Sequence, residues 1–211
     1  METDFRQPIR TYYNRAARIY DLIEFIRKDT RPKVVQKSNL QTGEKVLDAC
    51  TGTGDLALAF AMAGADVTGI DIAEKMLLRA RKKSNVFHVS WIKMDASDIK
   101  FQDDSFDIST ISLALHHMPE DEQIKVLSEL ARVTKRRVII VEPHQPFNQK
   151  LHWLWGVVGS IVDESKFMRQ WVRQDFNQTC SYAGLEVEDI EVTTQAVHRI
   201  TVCKPVKNGH S

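Results

Sequence analysis

Short apolar runs alternate with amphipathic stretches through most of the chain, and this alternation restricts the fold more than any other feature. Five of the runs are typical of strands: Lys45–Cys50, Asp66–Ile70, Val86–Ile92, Phe106–Ser112 and Arg137–Glu142. Between them lie "LALAFAMA", "AEKMLLRARKK" and "EDEQIKVLSELARV", in which apolar residues recur at helical spacing. This order predicts an α/β fold, a parallel sheet with helices on both faces.

The order of elements changes towards the C-terminus. A helix is predicted around Arg169–Ala183, and "LEVEDIEV" and "AVHRITVC" then follow with no helix between them. Two strands joined in this way pair antiparallel. We therefore expect a Rossmann-like sheet of seven mostly parallel strands, ending in an antiparallel C-terminal hairpin. At 211 residues, the chain suits a single domain, 1–211.

The first forty residues precede the first predicted strand and have the pattern of an amphipathic helix. Their apolar residues recur at steps of three and four: Ile9, Tyr12, Ala16, Ile19, Ile23 and Ile26. Pro32 is expected to begin a second helix. We expect residues 1–40 to form a helical lid over the α/β body.

The stretch "LDACTGTGD", from Leu47 to Asp55, forms a glycine-containing turn at the end of the first predicted strand. In open parallel sheets, ligands bind beyond the carboxyl ends of the strands. Gly52, Gly54 and Ala57 also fit the G-x-G-x-x-A dinucleotide fingerprint, which leaves a nicotinamide-dependent oxidoreductase as an alternative.

Two acidic residues bear on the choice of ligand. Asp71 ends the second predicted strand, where its carboxylate can accept hydrogen bonds from both hydroxyls of a ribose. That feature suits NAD and S-adenosylmethionine equally. Asp48 lies inside the glycine turn, where a carboxylate repels a pyrophosphate and favours a positively charged ligand. The alternative is that Asp48 only caps the helix or satisfies the loop.

Several motifs resemble those of the class I S-adenosylmethionine-dependent methyltransferases in order and spacing: "VLDACTGTGDLA", "VTGIDIAEKML", "MDASDI", "FQDDSFDISTISLALHHM" and "ELARVTK". The resemblance covers roughly residues 10–204. Within that family the chain most resembles the ubiquinone/menaquinone C-methyltransferase-like group (methyltransferase domain type 11), through "GTGDLA", "DDSFD" and "YYNRAARIYD". The resemblance implies an enzyme whose cofactor is S-adenosylmethionine and whose product is S-adenosylhomocysteine.

The resemblance also implies which residues of the glycine turn and the second strand bind the cofactor. Gly52 and Gly54 would let the backbone approach the methionine moiety. Asp48 would lie beside it, and Asp71 would hold the ribose. Cys50 stands where the motif usually has its first glycine, and we expect it to be a small packing residue.

The adenine and the ammonium group of the cofactor are assigned by the same resemblance. Ile72 would flank the adenine, Asp95 would meet its amino group, and the Ala96 backbone its ring nitrogen. The Leu113 carbonyl would meet the ammonium group. Tyr20, at the end of "RIY", would fold over the cofactor as part of the lid.

Methyl transfer from a sulfonium needs in-line positioning and exclusion of water, and it needs a base only if the acceptor must lose a proton. The candidate catalytic residues are His117 and His144, with His116 and His152 nearby, all expected near the carboxyl rim of the sheet. The alternatives are that the histidine pair only shapes its loop and that His144 is a solvated loop residue. No spacing of ligands requires a metal, and we predict none.

Residues 145–171 follow the fifth predicted strand and form the expected helical cap over the acceptor. Their aromatic residues are Trp153, Trp155, Phe167 and Trp171. Helical aromatic residues are more often core than pocket, but we expect here an apolar pocket for a small, quinol-like or phenol-like acceptor. Alternatives are a phospholipid or amine N-methyltransferase that contacts a membrane surface, a thiol methyltransferase, and a non-catalytic cofactor-binding subunit.

Charge and cysteine content restrict the partners and the compartment. The formal net charge of +1 gives no electrostatic reason to expect nucleic acid as a partner. The three cysteines are scattered, which favours a reducing compartment over a disulfide framework. The N-terminus has mixed charge, unlike a signal peptide. We therefore expect a cytoplasmic protein, with peripheral membrane contact and oligomeric state left open.

Overall fold

The computed structural model describes residues 30–84, 86–144, 174–193 and 198–207, together with 6–7, 10–11, 13–14, 167 and 170–171. The predictions for Tyr20, His152, Trp153 and Trp155 lie outside the described residues, as does the apolar stripe of the N-terminal helix. The described N-terminal residues, 6–7, 10–11 and 13–14, are helical. No helix within the described ranges is long and apolar enough to cross a bilayer.

Strands and helices alternate along the described chain as the sequence predicts. In chain order the elements are α1 (Thr30–Ser38), β1 (Lys45–Ala49), α2 (Asp55–Met62), β2 (Asp66–Asp71), α3 (Glu74–Lys83), β3 (Val89–Lys93), β4 (Phe106–Ser112), a 3₁₀ turn (Leu115–His117), α4 (Glu120–Val133), β5 (Thr134–Pro143), α5 (Phe176–Tyr182), β6 (Leu185–Val192) and β7 (His198–Pro205). Pro32 lies in the first turn of α1, where its missing amide hydrogen costs nothing.

The strands form one seven-stranded sheet in the order β3-β2-β1-β4-β5-β7-β6. All neighbouring strands are parallel except the pairs that include β7, which runs antiparallel to β5 and β6. The predicted mostly parallel sheet with an antiparallel C-terminal hairpin is confirmed. The strand order reverses between β1 and β4, so the crevice above their carboxyl ends is the expected ligand site.

The central strands are buried on both faces because helices cover each side. In β5, Val138 and Ile140 pack into one core, and Ile139 and Val141 pack into the other. The first core includes apolar residues of α4 and α5, and the second includes those of α1 and α2. This alternation follows from the two-residue period of a strand.

Two predicted strand boundaries were wrong. β5 begins at Thr134 rather than Arg137, because α4 ends at Val133 and leads directly into the strand. The Thr134 hydroxyl lies 2.5 Å from the Ser109 hydroxyl of β4, which anchors this early start. β3 begins at Val89 rather than Val86, and Val86 is exposed in the preceding loop.

The helix predicted over Arg169–Ala183 is interrupted: Gln170 and Trp171 are helical, as predicted, but a break follows before α5. Gln174 and Asp175 are not helical, and α5 begins at Phe176. The Asp175 carboxylate accepts hydrogen bonds from the amides of Asn177 and Gln178, at 3.1 and 3.3 Å. This N-cap satisfies amides that have no partner within the helix, so the helix starts here.

Candidate active site

The glycine turn between β1 and α2 passes through left-handed backbone at Cys50, Gly52 and Gly54, with φ values of 52°, 57° and 83°. A Cβ on Gly54 would lie 2.4 Å from the indole of Trp91, so packing requires glycine there. A Cβ on Gly52 would meet no protein atom within 4 Å. The backbone of Gly52 therefore faces open space that a ligand can approach closely.

Cys50 is a non-glycine residue in a conformation that glycine prefers. The left-handed backbone costs an L-residue roughly 1–2 kcal/mol, a cost that glycine would not have at this position. The side chain packs against the core on the α4 side of the sheet, in agreement with its expected packing role. Burial raises the pKa of the Cys50 thiol, so it remains protonated at neutral pH.

Asp71, at the end of β2, is hydrogen-bonded to the glycine turn. Its Oδ2 accepts from the amide of Gly52 at 2.9 Å, and its Oδ1 accepts from the amide of Ala73 at 2.7 Å. Desolvation raises its pKa. Each carboxylate oxygen can accept a second hydrogen bond, so both remain able to accept one from a ribose hydroxyl.

Asp48 lies beneath the turn rather than on its surface. Its side chain is buried and accepts hydrogen bonds from the hydroxyls of Thr51, at 2.5 Å, and of Thr110 in β4, at 2.7 Å. Desolvation raises its pKa to about 6. These hydrogen bonds agree with the alternative in which Asp48 satisfies polar groups of the loop. Asp48 also lines the cavity beside the turn.

The loop after β3 carries the residues predicted to meet the adenine. Asp95 Oδ1 accepts hydrogen bonds from the amide and the hydroxyl of Ser97, at 3.0 and 2.8 Å. Asp95 Oδ2 pairs with Arg6 Nε at 3.0 Å, and Arg6 also contacts the buried Glu122. Ala96 is buried beside them. The N-terminal segment thus already reaches the expected adenine end of the site.

Two more N-terminal residues, Tyr13 and Asn14, contact the segments that follow β2 and β4. Tyr13 packs against Ala73 and Met76, and its ring centroid lies 5.8 Å from that of His117. The amide of Lys75 donates a hydrogen bond to the Asn14 side chain at 3.0 Å. Ile72, predicted to flank the adenine, is half-buried in the loop between β2 and α3. The described N-terminal residues therefore contact the loops that follow β2 and β4, and their role as a lid stays a prediction.

Leu113 follows β4 and also has left-handed backbone, with φ 54°. Its amide donates to the carbonyl of Val141 at 2.8 Å. Its own carbonyl accepts no hydrogen bond from any described residue, and the residue lines the cavity beside the glycine turn. The carbonyl is therefore available to an ammonium group.

The 3₁₀ turn after Leu113 is held by Glu142, a residue that the sequence analysis missed. Glu142 Oε1 accepts from the amides of Ala114 and Leu115, at 3.0 and 2.8 Å, and Oε2 lies 2.6 Å from His116 Nδ1. The ring centroids of His116 and His117 lie 3.8 Å apart. Like Asp71, Glu142 is an acid near the end of a buried apolar run, and that pattern could have identified it.

A cavity opens between α1 and the glycine turn. Residues from α1, the glycine turn, the end of β4, β5 and β7 line it, among them Thr30, Val34, Gly52, Leu113, Val141 and His198. His198 Nδ1 lies 3.5 Å from the Thr30 hydroxyl across the cavity mouth. The glycine turn, the end of β4 and the end of β5 therefore face one space.

His144 follows directly after the end of β5. Burial and the positive charge of Arg199 lower the pKa of His144, which favours the neutral imidazole. Its Nδ1 is buried without a hydrogen-bond partner. Trp171 is fully buried in the core, and its ring centroid lies 4.9 Å from that of Phe176. Its indole N–H donates a hydrogen bond to the Pro143 carbonyl at 3.3 Å. Trp171 is thus a core residue rather than part of an open pocket.

Comparison with known proteins places the chain in a family. A methyltransferase-domain model matches residues 46–137. A demethylmenaquinone methyltransferase of Staphylococcus saprophyticus is 31% identical over 172 residues, 74% of this chain and 73% of that protein. One of Staphylococcus aureus strain Newman is 30% identical over 184 residues, 80% of this chain and 74% of that protein.

Solved structures share the fold. The magnesium protoporphyrin IX methyltransferase of Synechocystis PCC 6803, with bound S-adenosylhomocysteine, has a TM-score of 0.71 and 21% identity, over 96% of this chain and 100% of that one. A methyltransferase from Methanosarcina mazei has a TM-score of 0.65 and 18% identity, over 79% of this chain and 94% of that one.

The chain therefore belongs to the class I S-adenosylmethionine-dependent methyltransferases. The open space above Gly52, the remaining acceptor sites on Asp71 and the free Leu113 carbonyl fit the methionine, ribose and ammonium parts of that cofactor. Within the family, its demethylmenaquinone methyltransferase relatives agree with the resemblance to the ubiquinone/menaquinone C-methyltransferase-like group.

Proposed function

We propose that this protein methylates a small aromatic acceptor of the quinol or phenol class. The observation that carries the proposal is the 31% identity to a demethylmenaquinone methyltransferase over 73% of that protein's length. Two histidines at the carboxyl rim support the proposal: His144, whose pKa is lowered, and His116, which is hydrogen-bonded to Glu142. A histidine can act as a base, and a phenolic hydroxyl must lose a proton to become a strong nucleophile.

The residues proposed to hold the cofactor lie at the ends of four neighbouring strands and in their loops. Gly52 would admit the methionine moiety, Asp71 would bind the ribose hydroxyls, and Asp95 would meet the adenine. The Leu113 carbonyl would accept a hydrogen bond from the ammonium group. S-adenosylmethionine supplies, when bound, a methyl group on a positively charged sulfur. Asp48 contributes by holding the turn through Thr51.

We assign the base to His144, with His117 as the second candidate. His144 has a lowered pKa and an unpartnered Nδ1, so it can accept the proton of an acceptor hydroxyl at neutral pH. His117 packs between His116 and Tyr13, where it would shape the floor of the site. The ordered side chains around the rim exclude water and hold the acceptor in line with the transferred methyl group.

An acceptor screen with S-adenosylmethionine labelled in its methyl group tests this function. Quinols, phenols, thiols, amines and phospholipids are offered separately, and release of S-adenosylhomocysteine is measured beside label transfer. We expect label on quinols or phenols. Label only on lipids, amines or thiols would contradict the acceptor class, and binding without turnover of any acceptor would indicate a cofactor-binding subunit.

Two controls sharpen the screen. S-adenosylhomocysteine should raise the melting temperature while NAD and NADP leave it unchanged, because a ligand stabilises only the state that binds it. Substitution of the base, His144→Gln, should lower kcat by about 10²–10⁴-fold. The matched control is His88→Gln, at an exposed histidine in the loop before β3, and it should leave kcat unchanged.

A further inference from the structure

Arg199 carries buried hydrogen-bond donors that have no acceptor. It lies in β7, directly opposite Glu142 of β5, and its Nε and Nη2 atoms are buried without a hydrogen-bond partner. The guanidinium carbon lies 4.7 Å from the ring centroid of Phe176 and 6.0 Å from that of Trp171. Polar atoms buried in this way are rare in folded proteins and call for an explanation.

The neighbouring groups do not satisfy this cation. Glu142, the acid opposite it, is hydrogen-bonded to Ala114, Leu115 and His116 and forms no hydrogen bond with Arg199. No described carboxylate forms an ion pair with Arg199. The aromatic rings attract the charge through cation–π contact, but they offer no acceptor for its N–H groups. An oxygen-bearing anion would satisfy both the charge and the donors.

Arg199 and His144 lie near each other at the carboxyl end of β5. Residues directly opposite each other on antiparallel strands point to the same face, so Arg199 lies on the side of Glu142. His144 comes two residues after Glu142, just beyond the end of β5, and the positive charge of Arg199 contributes to its lowered pKa. The carboxyl end of β5 therefore brings together three buried nitrogen atoms without a hydrogen-bond partner among the described residues, Nδ1 of His144 and Nε and Nη2 of Arg199.

We infer that Arg199 and His144 together form an oxyanion site that recognises the acceptor's hydroxyl as its conjugate base. The inference rests on the proposed function and names the substrate class more narrowly: a phenol or enol that binds as the anion. The acceptor's O–H bond breaks, its proton passes to His144 Nδ1, and the electron pair stays on the oxygen. Arg199 Nε and Nη2 then donate hydrogen bonds to that oxygen.

The test uses a probe whose ionisation is visible. The full-length protein is saturated with S-adenosylhomocysteine and titrated with 4-nitrophenol, whose absorption band shifts on ionisation, and with 4-nitroanisole, which has the same ring but cannot ionise. We expect wild-type protein to bind the 4-nitrophenolate at least about tenfold more tightly than 4-nitroanisole. Arg199→Met should abolish this preference, and Arg199→Lys should restore part of it, because Lys keeps the charge without the planar donors.

Controls separate the site from the fold and from the proposed function. Arg137→Met, on the same sheet near the amino end of β5, should keep the preference. The affinity for S-adenosylhomocysteine is measured for every variant and should be unchanged. Equal binding of the two probes to wild-type protein, or a preference that survives in Arg199→Met, overturns the inference. Failure of wild-type protein to bind S-adenosylhomocysteine would instead contradict the proposed function, and the probe pair would still decide the oxyanion site.

Discussion

The carboxylate of Asp71 accepts a hydrogen bond from the amide of Gly52 at 2.9 Å, across the gap between β2 and the glycine turn. The residue proposed to hold the ribose therefore also fixes the loop proposed to approach the methionine moiety. A second hydrogen bond, from the amide of Ala73 to the other oxygen, ties the same carboxylate to the start of α3. One side chain thus couples two parts of the cofactor site.

Replacing the Asp71 carboxylate should weaken cofactor binding while the fold survives. Asp71→Asn removes the charge that would bind two ribose hydroxyls, and hydrogen bonds to charged groups contribute about 1.5–3 kcal/mol each. With partial compensation by water, we expect a loss of roughly 2–4 kcal/mol in the binding of S-adenosylhomocysteine, measured by calorimetry. Asp66→Asn, at the exposed amino end of the same strand, is the control. Unchanged affinity in Asp71→Asn would remove the ribose assignment.

A pair of glycine substitutions can separate backbone strain from loss of ligand space. Gly52 and Gly43 both have positive φ, at 57° and 85°, and a Cβ on either would meet no protein atom within 4 Å. Gly52→Ala and Gly43→Ala should therefore destabilise the protein similarly, by roughly 1–2 kcal/mol in urea unfolding. Only Gly52→Ala should weaken S-adenosylhomocysteine binding. Equal cofactor affinity in the two variants would show that nothing approaches Gly52 closely.

Asp48 should make the stability of the protein depend on pH. Its pKa is raised to about 6 in the folded state, so the folded state holds its proton more tightly than the unfolded chain does. The free energy of unfolding therefore falls as the pH rises through that value. Asp48→Asn removes this effect, and its stability relative to wild type should increase by about 1–2 kcal/mol between about pH 5 and pH 8. A difference that stays constant with pH would contradict the prediction.

The N-terminal segment should strengthen cofactor binding through Arg6. This residue pairs with Asp95 and contacts the buried Glu122 of α4, so its loss removes both ion pairs that tie the segment to the α/β body and leaves Glu122 less compensated. Arg6→Gln should raise the Kd of S-adenosylhomocysteine several-fold. Hydrogen exchange should also show weaker protection of the Lys75 amide, which donates to Asn14 of the segment.

Arg10→Gln is the matched control for the N-terminal segment. Arg10 is exposed, and its hydrogen bond goes to Gln7 within the same segment rather than to the α/β body. Its substitution should change neither the Kd nor the exchange of Lys75. Exchange of the Lys75 amide that is equally slow with and without S-adenosylhomocysteine would indicate a permanently docked helix instead of a lid.

The residues at the ends of the parallel strands could be identified before the structure was known. Asp48 and Asp71 each lie at or near the end of an apolar run, and Gly52 and Gly54 follow the first run directly. Parallel strands present their carboxyl ends at the same edge of a sheet. The spacing of apolar residues and the order of the elements along the chain were therefore enough to predict that these residues lie near one another. The alternation of strands and helices likewise determined the fold class.

The partners of these residues depended on tertiary structure. Thr110 reaches Asp48 across 62 residues of sequence, and His116 reaches Glu142 across 26. Arg199 faces Glu142 only because β7 inserts antiparallel beside β5, in a register that local sequence does not encode. Strand order and register are set by the packing of both sheet faces at once. The sequence by itself determined that Asp48, Gly52 and Asp71 lie at the rim, and only the tertiary structure added Glu142 and Arg199 and decided which groups are satisfied by neighbours, because those contacts join residues far apart in the chain.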